Sequence, residues 1–101
     1  MLVHEKRRAE VVVKLSGELD HSAAERIRPE IDELIRDPKV TRLVFDLGGI
    51  NFMDSSGIGI ILGRYRLMNR RGGTVAVKGV GRQIDRIFEM AGLYQLVQKL
   101  A

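Results

Sequence analysis

Two adjacent hydroxyls carry the chemistry this sequence offers. Asp54-Ser55-Ser56-Gly57 stands between an apolar stretch and a helical pattern, so a serine oxygen sits where a helix begins. As a nucleophile, such a serine needs a base within hydrogen-bond reach and an oxyanion hole. The only imidazoles are His4 and His21, and the Gly-x-Ser-x-Gly elbow is absent. His4 reads as an exposed strand residue and His21 as a loop residue beside a helix start, so a hydrolase is not expected. As helix caps, Asp54 and the serines satisfy orphan N–H groups, which says nothing about function. As a phosphate acceptor, a serine here is chemically apt. A phosphate on a helix N-terminus meets unsatisfied N–H groups and the positive end of the dipole, and leaves the fold intact. It adds about −1.5 to −2 charges and a hydrated group to one exposed spot. A partner docking over that spot loses its fit, while spacing alone does not choose between Ser55 and Ser56.

Other constellations are weaker. The run Gly57-Ile58-Gly59-Ile60-Ile61-Leu62-Gly63 misses Gly-x-Gly-x-x-Gly by one position, and close helix packing explains its glycines better. Gly79-Val80-Gly81-Arg82 follows a strand and opens a helix, the right context for a dinucleotide. It lacks the third glycine, and no acidic ribose partner follows on a later strand. Gly-Lys-Ser/Thr does not occur. With no cysteine and two distant histidines, a zinc site is not expected. The expectation is a protein with no cofactor or metal of its own.

The elements that must position Ser55 and Ser56 alternate along the chain. Residues 2–6 and 10–16 read as a strand hairpin, the second strand β-branched and ended by Gly17. Ser22-Ala23-Ala24-Glu25 has the form of a capping box. Ala24, Ile27, Ile31, Leu34 and Ile35 then repeat at helical spacing. Pro29 inside that pattern predicts a kink or a tight first turn, and Asp37-Pro38 a stop. Residues 43–47 form a second strand, and residues 50–56 a loop into the next helix. That helix carries Ile58, Ile61, Leu62, Tyr65 and Met68 on one side and Arg64, Arg66, Arg70 and Arg71 largely on the other. Gly59 and Gly63, one turn apart, are expected to let it lie close against a sheet, and Gly72-Gly73 ends it. Residues 74–77 form a third buried strand and residues 83–91 a helix closed by Gly92. Residues 93–97 are strand or turn. The order β-β-α-β-α-β-α with a short C-terminal tail predicts one α/β domain over residues 1–101, with parallel neighbours.

Composition bounds the partners. A chain of 101 residues, 45% of them apolar, suffices for one domain with a real core. The net charge is +4, but the basic residues are scattered apart from Arg7-Arg8 and the arginines of the middle helix. Few aromatics accompany them, so nucleic acid is not expected, whereas an acidic protein surface suits the same charge. The N-terminus lacks the apolar core of a signal peptide, and no apolar run approaches the roughly 20 residues that span a bilayer. A cytoplasmic, membrane-free protein is expected, and absence of cysteine fits a reducing compartment.

Phe52-Met53-Asp54-Ser55-Ser56-Gly57-Ile58-Gly59, continuing through Ile61-Leu62-Gly63-Arg64-Tyr65, resembles the signature of STAS-domain anti-anti-sigma factors, the anti-sigma factor antagonists. Gly17-Glu18-Leu19-Asp20-His21 is similar to a second motif of that family, and Arg86-Ile87-Phe88-Glu89-Met90-Ala91-Gly92-Leu93 to a third. The likeness covers nearly the whole chain in register and is strongest to the sporulation, sigma-F branch. It implies a mixed, mostly parallel sheet packed by helices. It also implies a partner-switching cycle. The unphosphorylated antagonist binds an anti-sigma factor that is also a serine kinase and so releases the sigma factor. The kinase, which carries the ATP and magnesium, phosphorylates and ejects the antagonist, and a PP2C-type phosphatase restores it. Carried over by motif, the acceptor is Ser55, and the docking surface comprises Asp20, Met53, Asp54, Ser56, Gly57, Ile58, Gly59 and Arg64. On this view the protein is a substrate, not an enzyme, and is a monomer when free. Two departures stand out: a further C-terminal helix usual in the family is expected to be shortened or absent, and Pro29 within the first helix is unusual for it. The rival expectation is a STAS scaffold module of a stressosome-like or transport complex.

Overall fold

Val11, Val13 and Leu15 are buried while Lys14 and Ser16 between and beyond them are exposed, the period-two pattern of a strand with one covered face. In the computed structural model, which describes residues 1–101, they lie on β2 (Glu10–Leu19), paired antiparallel with β1 (Leu2–Arg7). There follow α1 (His21–Leu34), β3 (Arg42–Met53), α2 (Ser55–Arg70), β4 (Thr74–Lys78), α3 (Arg82–Met90), a 3-10 turn (Leu93–Gln95) and β5 (Gln98–Lys99). From β2 to β5 the strands are parallel neighbours, giving the sheet order β1-β2-β3-β4-β5 with a helix in every crossover. The mixed α/β architecture expected from the alternation is therefore present. The expected tail is more than a tail: it adds the fifth strand beside β4.

Register builds the core. Val11, Leu43 and Val75 stand abreast, then Val13, Phe45 and Val77, all at most 2% exposed. Ile31 of α1, Ile61 and Met68 of α2, and Ile84 and Phe88 of α3 join the same cluster, so all three helices cover one face of the sheet. Each such side chain contributes roughly 1.5–3 kcal/mol through burial. Arg42 spans the start of the sheet, donating from Nε to Glu10 at 3.0 Å and from Nη1 to Gln98 at 3.1 Å. Tyr94 closes the C-terminal end, donating its hydroxyl to Asp85, which also faces Lys99 Nζ at 2.8 Å. Burial, with Asp85 beside it, pushes the Tyr94 hydroxyl well above the usual phenol range.

Several local expectations are corrected. Gly17 does not end β2. It takes φ +91 in a bulged stretch where the register against β3 shifts twice, and the strand runs on to Leu19. Residues 50–53, expected in a loop, extend β3: Ile50, Phe52 and Met53 pair with Gly17, Glu18 and Leu19. The helix after β2 starts earlier than a capping box at Ser22 implies. Asp20 is its N-cap, and Ser22 lies inside the helix. Pro29 neither opens nor ends α1, which runs through it; Pro29 and Glu25, whose carbonyl loses its donor, are both exposed to water. Arg71 does not simply face solvent. Its guanidinium donates to the carbonyls of Ile35 and Asp37, satisfying the C-terminal end of α1.

Candidate functional site

The extended ends of β2 and β3 stop together, with Leu19 opposite Met53. Each strand is followed by one extended aspartate and then a helix. Asp20 Oδ1 accepts from Ala23 N at 2.9 Å, and Asp54 Oδ1 accepts from Ser56 N at 2.8 Å. Two helix N-termini therefore start side by side at the carboxyl ends of parallel strands, where N–H groups and dipoles favour negative charge.

The two serines separate here. Ser55 is the first residue of α2, exposed, and its hydroxyl makes no hydrogen bond within the chain. Ser56 is partly buried and turns toward α1, its Oγ 3.4 Å from His21 Nδ1. His21 Nε2 stands 3.1 Å from Glu25 Oε1. Serine, imidazole and carboxylate thus lie in a row, but His21 and Glu25 are 76% and 65% exposed. Such a row lacks the water-excluded surroundings in which aligned dipoles do catalytic work. No cluster of three histidine, aspartate or glutamate side chains is placed to hold a metal ion. No helix is long and apolar enough to cross a membrane.

Of the other residues expected at the site, Asp20, Asp54, Ile58 and Gly59 gather at or beside this end, Gly59 exposed and the other three half-buried. Met53 and Gly57 lie underneath. Met53 is 7% exposed, and Gly57 is packed so closely on it that a Cβ would come within 2.5 Å of Met53 Cγ. They shape the turn from below and do not form its surface. Arg64 is also corrected: expected on the solvent side of α2, it is 8% exposed and paired with Asp32 of α1, Nε to Oδ1 at 3.0 Å. Burial lowers its pKa, Asp32 opposes that shift, and Arg28 adds to it; a guanidinium still keeps its charge. Gly59 and Gly63 do not face the sheet, since a Cβ on either would meet nothing within 4 Å.

His21, expected in a loop at the end of the second motif, is the first residue of α1, and Arg28 and Asp32 of α1 are site neighbours that sequence reasoning misses. The one signal of Arg28 and Asp32 is spacing, the two being one turn apart. Nothing local says that this face of α1 meets α2.

The likeness to known proteins is specific. The STAS domain family model matches residues 1–101. An anti-sigma F factor antagonist of Paenibacillus polymyxa is 42% identical over 93 residues, covering 92% of this chain and 80% of that protein. The structure of the anti-sigma factor antagonist SpoIIAA in its unphosphorylated form matches with TM-score 0.81 and 30% identity, covering 100% of this chain and 88% of that one. The phosphorylated form of the Bacillus cell fate determinant SpoIIAA matches with TM-score 0.80 and 32% identity, covering 100% and 92%. Family model, sequence relatives and fold agree, and the chain belongs to the STAS domain family.

Proposed function

We propose that this protein is an anti-sigma factor antagonist whose unphosphorylated form binds an anti-sigma factor with serine kinase activity, and that phosphorylation of Ser55 ends the binding. The observation that carries this reading is the placement of Ser55: an exposed, unengaged hydroxyl at the first position of a helix, beside a second helix N-terminus. Its neighbour Ser56 is turned into the α1–α2 contact, which favours Ser55 as the acceptor. A phosphate on Ser55 meets the helix dipole and leaves the capped turn in place. The added charge sits beside the carboxylates of Asp20 and Asp54, so the docking surface turns strongly negative while the core is untouched. The near-equal match to SpoIIAA in its unphosphorylated and phosphorylated forms supports a switch that works without refolding.

In this cycle the chain is a substrate. The partner kinase carries ATP and magnesium, a PP2C-type phosphatase regenerates the hydroxyl, and the free antagonist is a cytoplasmic monomer with no cofactor of its own. Asp20, Asp54, Ser56, Ile58 and Gly59 form the docking surface around Ser55, supported from below by Met53 and Gly57.

The test uses the anti-sigma F factor of Paenibacillus polymyxa with magnesium-ATP, followed by mapping of the modified residue. Phosphate on Ser55 is expected; phosphate on Ser56 alone, or none, sinks the assignment. Ser55→Ala is expected to bind the kinase and escape modification. Ser55→Asp is expected to bind at least about tenfold more weakly. Equal affinity of the two variants places the spot outside the interface.

A further inference from the structure

Two glycines of α2 have no explanation within the chain. Gly59 and Gly63 lie inside a helix, where each costs roughly 0.5–1 kcal/mol relative to alanine. Neither has a positive φ, and a Cβ on either meets nothing within 4 Å. They line a groove of about 370 Å³ between α1 and α2, together with His21, Glu25, Arg28, Ser56 and Arg64.

Arg64 stands on the wall of that groove with its hydrogen-bonding capacity largely unused. Although 8% exposed, its Nε meets Asp32 Oδ1 off the N–H direction, so that neither atom has a hydrogen bond. The one hydrogen bond of the guanidinium runs from Nη1 to the Ile60 carbonyl at 3.4 Å. Five N–H donors belong to that group; the buried one without a hydrogen bond is Nε, and an unmet buried donor costs about 1–3 kcal/mol. Two cations stand at the wall: Arg28 lies beside Arg64, whose Nε faces Asp32 at 3.0 Å, while Glu25, the one acidic lining residue, faces His21 at 3.1 Å.

We propose that the groove receives an acidic side chain, aspartate or glutamate, of the anti-sigma partner. Its carboxylate would lie between Arg28 and Arg64, and its backbone against the strip of Gly59 and Gly63. A free anion needs the arginines but has no use for a bare helical strip, whereas an approaching polypeptide needs both. Ser56 belongs to the groove and adjoins Ser55, so one partner surface reaches the acceptor serine and this anchor together. The proposal rests on the antagonist reading; beyond Ser56, Gly59 and Arg64, which the motif already carries over, it adds Arg28 of α1, Gly63 and the acidic character of the side chain received.

Arg64 itself is a poor test, because removing it strands Asp32. Gly63→Ala and Arg28→Glu are better, since both positions have room. Affinity for the anti-sigma F factor of Paenibacillus polymyxa, measured by titration calorimetry, is expected to fall about tenfold in each. For Gly63→Ala the melting temperature should rise as the affinity falls, a combination that a folding defect cannot produce. For Arg28→Glu, one aspartate or glutamate of the probe changed to lysine should restore binding. If both variants bind like the parent while Ser55→Asp still weakens binding, the groove proposal is overturned and the antagonist reading stands. If the parent itself does not bind, the antagonist reading fails and the groove proposal goes with it. If no charge swap rescues Arg28→Glu, and millimolar inorganic phosphate raises the melting temperature of the parent but not of Arg28→Glu, the groove is a free-anion site and the proposal is wrong.

Discussion

Helix α2 uses glycine in opposite ways on two faces. Toward the sheet, Gly57 is forced by contact: a Cβ would lie 2.5 Å from Met53 Cγ, 2.9 Å from Met53 Sδ and 3.1 Å from Leu19 Cδ2. Toward α1, Gly59 and Gly63 face open space. The first glycine lets the start of the helix sit directly on the joined ends of β2 and β3, and so fixes where Ser55 is displayed. The other two leave a surface unfilled that the fold has no need to leave. Tight packing below and open space above are what a docking site requires: a rigid base under a surface shaped for something else.

The largest effect expected from breaking this contrast is at Gly57. Gly57→Ala overpacks the turn, and destabilisation of about 1–3 kcal/mol is expected in denaturant unfolding. Met53→Ala in the same chain should relieve part of that cost, giving a coupling energy that a double-mutant cycle reads directly. An unchanged unfolding midpoint in Gly57→Ala would mean that the base of the site is soft.

Asp54→Ala and Asp20→Ala come next, at about 1 kcal/mol each, because each removes one side-chain acceptor from a helix N-terminus. The two cap bonds are nearly equal in length, 2.8 and 2.9 Å, although Asp54 serves the N–H two residues on and Asp20 the one three residues on, so their thermal destabilisation should be similar. Binding of the anti-sigma factor should respond more to Asp54→Ala, which loosens the turn carrying the acceptor. Equal loss of binding from the two would show that both helix starts form a single contact surface.

Most of the fold was legible because its signals are local. Val11, Val13 and Leu15 alternate, and Ile84, Ile87 and Phe88 recur at helical spacing, so strand and helix follow from period alone. The misread parts depend on neighbours in space. Ser22 with Glu25 imitates a capping box, but pairing of Glu18 and Leu19 with β3 leaves Asp20 to cap the helix. On α2 the buried stripe is Gly57, Ile60, Ile61, Arg64 and Met68, about one residue away from the all-apolar stripe read from sequence. An arginine on the inner stripe looks like a solvent residue until Asp32 and α1 are placed beside it. In the site, Ser55 and its cap were legible as a motif, whereas the groove was not, since it exists only where α1 lies against α2.

The smallest effect has the opposite sign. Gly59→Ala adds a methyl group where none is contacted and removes backbone freedom from the unfolded chain, so a gain of about 0.5–1 kcal/mol is expected. The same substitution two residues earlier, at Gly57, destabilises, although both residues lie in one helix with ordinary backbone angles. Helix propensity alone predicts one sign for both, and packing alone predicts a loss at Gly57 and no change at Gly59. A rise in melting temperature for Gly59→Ala against a fall for Gly57→Ala therefore requires both terms. If Gly59→Ala destabilises instead, the α1 face is not open in solution, and an unfilled groove no longer accounts for its glycines.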